Sequence, residues 1–335
     1  MNFNLVSKIE VISTFVGFVL AVYLAFHGAK AYALVYSFLA TSTVSTILFM
    51  IAGFKKSPPR FVFNYSEVRE FVHFGIYQMG ERMINYFNTQ FDVLLIGKIL
   101  GTEALGVYTI AKQLIMRPAQ VINPIITKVT FPVMAKVQED IPKLRSIYLK
   151  TINYLSSVNF PLYAGIFVLA EEIVLLVFGK EWWEAIPIIK ILCFFAAIRS
   201  TGNPIGSLLL ARGRVKLGFF WNLALFFIIP TTVFLGSSYG LHGVCYSLVG
   251  LMLALIVPNW YFQVRPLCKA KFWEYHLEIL RPGGIAILAG FLTYISISPI
   301  DNIYLKVILV SAIGLLVSGV LNLFLNKPFI LTFGQ

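Results

Sequence analysis

Charge is what this sequence has least of: Asp, Glu, Lys and Arg make up 13% of its 335 residues, against roughly 25% in an ordinary soluble domain. With 58% of the residues hydrophobic, too few polar side chains remain to clothe a water-soluble surface, so lipid must serve as the solvent. Cysteine is nearly absent. Cys193, Cys245 and Cys268 stand far apart with no paired spacing, which excludes a disulfide framework and a thiolate metal site and leaves them as small buried hydrophobes. The histidines His27, His73, His242 and His276 fall at the ends of apolar runs, where interfacial polar residues belong. No G-x-x-x-x-G-K-[ST] loop occurs, so the chain does not hydrolyse ATP by itself. No catalytic constellation, metal site or cofactor is implied.

What the sequence does have is long apolar runs, at residues 9–28, 31–51, 70–97, 103–131, 147–178, 186–210, 216–236, 240–263, 283–299 and 303–325. Each is near or above the ~20 residues that cross a bilayer as a helix. Backbone amides in hydrocarbon must pair within their own segment, and alternating ten-residue strands are missing. The expected fold is therefore all-α, a polytopic transmembrane bundle of about ten spans with no soluble domain. The first run lacks a small-residue cleavage site and turns tightly at Gly28 into the second, so it reads as a span and not as a cleaved signal.

The net charge of +12 is topological. Lys8, Lys55, Lys56, Arg60, Arg69, Lys136, Lys143, Arg145, Arg212, Arg214, Lys216, Arg265, Lys269, Lys271, Arg281 and Lys327 fall on one side of the ten-span arrangement, and only Lys30, Lys98, Lys180 and Lys306 on the other. Cytoplasmic loops hold the excess of Lys and Arg, so both termini are expected in the cytoplasm. Nucleic acid is not an expected partner, because the cations are spread over several loops and form no groove. Trp182 and Trp183 at one boundary, and Trp260, Tyr261, Trp273 and Tyr275 at the other, suit interfacial aromatic belts.

Two spans carry polar stripes. Gln78, Glu81, Asn85, Asn88 and Asp92 recur at helical spacing in the third span, with Arg82 beside them. Thr109, Lys112, Gln113, Arg117, Gln120, Asn123 and Thr127 do the same in the fourth. Neither stripe can face lipid at tolerable cost. Facing each other, they either bond the two helices together or line a hydrated cavity for a polar or anionic substrate, with Asn85 and Gln113 on its wall. Pro118, Pro124 and Pro132, and the break at Gly202, Asn203 and Pro204 after Arg199, suit helices that bend or line a cavity.

A weak internal repeat lays the turn from Phe26 to Tyr32 against the one from Ser238 to Val244. The run from Phe91 to Gln120, FDVLLIGKILGTEALGVYTIAKQLIMRPAQ, and the phrase Phe131, Pro132, Val133, Met134 followed by Asp140 and Leu144 to Tyr148, resemble polysaccharide transporters of the multidrug/oligosaccharidyl-lipid/polysaccharide flippase superfamily. The branch is similar to the repeat-unit flippases for colanic acid, O-antigen or teichuronic-acid-type polymers. Members typically have two six-helix lobes and often two additional helices. The resemblance therefore implies the last two helices of a first lobe at 1–52, a cytoplasmic linker at 53–69, a complete second lobe at 70–264, and a cytoplasmic loop with an additional helix pair at 265–335. About four N-terminal helices of the family pattern are not matched, which sets up the expectation of a truncated first lobe.

The function so implied is translocation of a polyprenyl-pyrophosphate-linked oligosaccharide across the inner membrane by alternating access. Arg82, Lys112, Arg117 and Arg199 are the expected pyrophosphate ligands, because a guanidinium offers forked donors to phosphate oxygens. Gln78, Asn85, Asn88 and Gln120 suit sugar hydroxyls. Glu81 and Asp92 are candidates for ion coupling, with a salt bridge to Arg82 or Lys112 as the equal alternative. The expected partners are the lipid-linked oligosaccharide, the lipid bilayer, and polymerase and export proteins of the same pathway. The competing readings are a cation-coupled drug exporter, a membrane glycosyltransferase or polymerase, which would need a larger outer loop, and an inactive fragment.

Overall fold

Apolar segments that cannot bond water fold as helices, and the computed structural model of the chain, which describes residues 3–28, 31–54, 65–297 and 302–326, has no strand among them. Lys30, Lys55, Lys56, Arg60, Lys327 and most of the 53–69 linker lie outside the described residues. The chain divides into two compact units, Met1–Val68 and Arg69–Gln335.

In the first unit α1 (Phe3–Phe26) packs along α2 (Ala31–Phe54). The crossing is close because Gly17 has no side chain: a Cβ there would lie 1.9 Å from Thr41 Oγ1. The hydroxyls of Ser13, Thr41 and Thr46 donate to the carbonyl one turn back, which lets polar residues sit in helices that face lipid. Gly28 ends α1 at φ +78° and Gly240, its counterpart in the repeat, stands at φ +69°. Both turns thus use the left-handed conformation that a Cβ disfavours.

The second unit holds nearly all of α3 (Tyr65–Ile99), then α4 (Gly101–Lys136), α5 (Ile141–Val168), α6 (Ala170–Val177), α7 (Ala185–Gly202), α8 (Pro204–Ala211), α9 (Val215–Ser237) and α10 (Gly240–Ala254). After these come α11 (Ile256–Asn259), a π-helical turn at Trp260–Val264, α12 (Arg265–Cys268), α13 (Phe272–Ile297) and α14 (Ile303–Leu325). Two helix starts carry side-chain caps: Asp140 accepts from the Lys143 amide, and Asn302 from those of Tyr304 and Leu305. The chain bends by 72° between α5 and α6 and by 40° between α10 and α11–α12.

α7 is the axis of this unit. Ile188, Ile189, Leu192 and Cys193 pack with Tyr108 and Ile115 of α4, Val174 of α6, Val233 of α9 and Val244 and Cys245 of α10. A second core joins Met134, Leu144, Tyr148, Leu208, Leu267, Cys268 and Tyr275. All three cysteines are buried and unbonded to one another. The outward faces of α1, α2, α13 and α14 expose large apolar residues such as Phe15, Phe38, Ile287 and Leu316, as a lipid-facing surface requires.

Among the described residues, six helices are long and apolar enough to cross a membrane, or up to eight if each bent pair counts as one span, against the ten expected. α3 and α4, of 35 and 36 residues, are ample in length, and what they lack is apolarity, since they carry the two polar stripes. The loops assigned to the cytoplasmic side do share one end of the unit: Arg212 Nη1 donates to Gln138 O at 2.6 Å, and Arg145 pairs with Glu274 at 3.6 Å. Lys306 and Glu172, assigned to the outer side, form an ion pair.

The α9–α10 hairpin closes on a pair of glycines. A Cβ on Gly243 would lie 2.3 Å from the Gly236 carbonyl oxygen, which is backbone and cannot swing aside. Gly243→Val is therefore expected to push the hairpin apart and lower stability by about 1–3 kcal/mol, read as a fall in thermal unfolding temperature in detergent, while Gly250→Val, with open space around it, serves as the control that leaves it unchanged.

Candidate functional site

α3 and α4 meet at a tight turn around Leu100 and Gly101, so the two polar stripes run back to back in antiparallel helices. Asp92 and Lys112 meet there. Lys112 Nζ lies 2.7 Å from both carboxylate oxygens of Asp92 and 2.6 Å from Thr89 O. Its three protons therefore each have an acceptor. Tyr108 OH donates to Asp92 Oδ2 at 2.5 Å, and the Val93 amide to Oδ1 at 2.9 Å. A buried ion pair persists only when such additional bonds satisfy the remaining lone pairs, and Asp92, 5% exposed, has them. Of the two readings left open for Asp92, the salt bridge to Lys112 is the one observed.

Arg199 stands near the end of α7 within electrostatic reach of Asp92, Tyr108 and Tyr163. Its guanidinium lies over the Phe195 ring at 5.6 Å, and it has no ion-pair partner among the described residues.

Nearer the start of α3, a second polar contact reaches α9. Asn222 Nδ2 donates to Glu81 Oε1 at 3.0 Å, and Asn88 Nδ2 donates to the Asn222 carbonyl at 2.9 Å. Glu81 therefore bonds an amide, and Arg82 makes no ion pair with it. Asn222 was not anticipated. The available signal was its isolation, as a lone amide inside the apolar run of α9. Edge-on contacts of Tyr77 with Phe219 (5.4 Å) and Phe91 with Phe226 (4.9 Å) fasten the same two helices.

The expectation that the stripes face each other across a cavity needs correction where they are deepest. Asn88, Asp92, Lys112 and Asn123 are engaged in direct bonds between helices, Asp92 with Lys112 of α4, Asn88 with α9 and Asn123 with α7, because a polar group buried among apolar helices must find its hydrogen-bond partner within the protein. The rest of the stripe is open: Arg82, Asn85, Gln113, Arg117 and Gln120 are exposed, and Gln78 is half-buried. Neither Arg82 nor Arg117 has an ion-pair partner among the described residues. An exposed polar face on a helix pair that sits among membrane helices must meet water, ligand or other protein, since lipid would cost several kcal/mol. What remains is a set of exposed cationic and amide side chains, Arg82 and Asn85 on α3 and Gln113, Arg117 and Gln120 on α4, beyond the buried Asp92–Lys112 pair.

A model of the polysaccharide biosynthesis protein family matches residues 1–187. The lipopolysaccharide biosynthesis protein WzxC of Escherichia coli (strain K12) is 33% identical over 88% of this chain and 60% of its own length. The teichuronic acid biosynthesis protein TuaB of Bacillus subtilis (strain 168) is 31% identical over 88% of this chain and 61% of its own. This chain thus spans about 60% of the length of these curated relatives. Among solved structures, the lipid II flippase MurJ in an inward closed conformation superposes with a TM-score of 0.67 over 96% of this chain and 68% of that one, at 13% identity, a likeness of fold.

Proposed function

The chain is a membrane protein that belongs to the polysaccharide biosynthesis protein family, and from that premise we propose that it translocates a polyprenyl-pyrophosphate-linked oligosaccharide across the inner membrane. The observation that carries this reading is the exposure of Arg82 on α3 and Arg117 on α4, neither of which has an ion-pair partner among the described residues. Guanidinium groups in a low-dielectric surrounding bind pyrophosphate oxygens through paired, charge-assisted hydrogen bonds. Asn85, Gln113 and Gln120 on the same face offer both donors and acceptors, the complement of sugar hydroxyls. Gln78 and Asn88 border it. Lys112 contributes through Asp92, holding α4 against α3, and Arg199 supplies the positive potential behind the face. The domain reading stands with it: 1–52 closes a first lobe, 70–264 forms the second, and 265–335 adds the helix pair. Polymerase and export proteins of the same pathway would take up the product.

Cells relying on this chain should, when it is depleted, accumulate the completed lipid-linked oligosaccharide in the inner leaflet. The measurement is extraction of that lipid and its accessibility to a glycan-binding probe in spheroplasts. Accumulation of an incomplete oligosaccharide instead would point to a glycosyltransferase.

Orientation is part of the proposal, with both termini cytoplasmic. The native cysteines are buried, so a single introduced cysteine reports cleanly. Trp183→Cys should react with an impermeant maleimide from outside, and Lys269→Cys only after the membrane is opened. The reverse pattern would overturn the orientation.

A further inference from the structure

Pro204 has no amide hydrogen to give to the carbonyl one turn behind it, so the break between α7 and α8 leaves the Ser200 carbonyl open. Asn123 of α4 supplies what is missing: its Nδ2 lies 3.3 Å from Ser200 O, a long bond. The Oδ1 of the same side chain accepts from Asn159 Nδ2 of α5 at 2.9 Å. Three helices are thereby tied at one buried point, with Asn123 2% exposed and Asn159 fully enclosed. The chain of bonds then stops. Among the described residues Asn159 Oδ1 finds no partner, nor does Ser156 Oγ one turn back on α5, nor Thr130 Oγ1 two turns on from Asn123 on α4.

An unpaired buried polar atom is costly, and a folded interior normally leaves few of them unmet, yet three fall on α4 and α5 on either side of the Asn123–Asn159 bond. The set contains an amide oxygen that needs a donor and two hydroxyls that can give or take. A species able to donate and accept at short range meets all three. A cation fits poorly, since no carboxylate belongs to this group and Arg199 lies on the same end of α7.

We propose that the seam between α4 and α5, beside the broken α7–α8 helix, is an internal water-binding site, with Ser156 and Asn159 as its principal ligands and Thr130 at its edge. Bound water supplies the hydrogen bonds that the Pro204 break and the Asn123–Asn159 pair leave open. Such water exchanges partners readily, so the break can bend without stranding a polar group. This inference stands independently of the cargo.

Millisecond X-ray radiolytic footprinting of the whole chain in detergent, carried out in oxygen-18 water, tests it directly. Leu155 and Phe160 flank the two ligands on α5, and Ile188 and Ile189 lie in the apolar core; of these, Leu155, Ile188 and Ile189 are fully buried. The expected result is labelling of Leu155 and Phe160 several-fold faster than of Ile188 and Ile189. Equal protection of all four would overturn the proposal. Ser156→Ala and Thr130→Val give a second readout that needs no labelling. In a wet seam each removes a water ligand and lowers the unfolding temperature, whereas in a dry seam each removes an unmet polar group and raises it or leaves it unchanged. A rise or no change in both variants would also overturn it.

Discussion

Lys112→Met is expected to deplete the protein from the membrane. The substitution keeps the length of the side chain and removes its charge, leaving the Asp92 carboxylate, 5% exposed, with Tyr108 and the Val93 amide as its remaining donors. Breaking a buried pair from one side costs about 3–5 kcal/mol, because an uncompensated charge stays in low dielectric. Asp92→Asn strands the ammonium group in the same way. The double variant Asp92→Asn with Lys112→Met should recover most of the loss: no charge remains, and the asparagine carbonyl still accepts from Tyr108. Abundance in membranes and unfolding temperature in detergent, measured on all three, decide the matter. Single variants at wild-type abundance would free Lys112 from its structural role and return it to the list of cargo ligands.

Arg82→Ala and Arg117→Ala should behave in the opposite way, abolishing polymer export at unchanged abundance. Both side chains are exposed and neither pairs with a carboxylate among the described residues, so their removal strands no ion-pair partner there. Arg→Lys at either position should restore only part of the export, since a point charge replaces a planar fork that grips two phosphate oxygens together. Export and abundance scored side by side separate this outcome from that of the ion pair. Full export from Arg82→Ala would remove that residue from the site, and lowered abundance would make it structural. A cation-coupled drug exporter, the nearest competing function, predicts that Glu81 matters more than either arginine. Its carboxylate bonds Asn222 instead of Arg82, so Glu81→Gln, which keeps a carbonyl acceptor for that amide, should be tolerated by the fold and informative about coupling.

The solvent and the class of secondary structure were legible in the sequence because they depend on local quantities. Low charge and apolar runs of bilayer length leave a helical membrane bundle as the physical solution. Helical spacing also placed the polar residues of α3 and α4 on single faces, and loop charge grouped the turns into two sides, with the loop contacts Arg212–Gln138 and Glu172–Lys306 agreeing. Of the ten runs, those of α3 and α4 have the length of a span without its apolarity, because they also carry the charged stripes.

Periodicity tells which side of a helix is polar and nothing of what that side meets. Only the tertiary structure decided that Asp92 closes on Lys112 while Arg117, little more than a turn further on, stays open. Only it brought Asn222 to Glu81 across 141 positions, Asn123 to Ser200 across 77, and Asn326 to Asn153 across 173. Those pairings depend on how helices distant in sequence pack, which is set by the fit of the core around α7 and by the bends at Leu169 and Leu255. The sequence by itself determined the solvent, the helices and the polar faces; packing divided those faces into residues bonded between helices and residues left exposed, because a buried charge must find its partner within the fold and an exposed one need not.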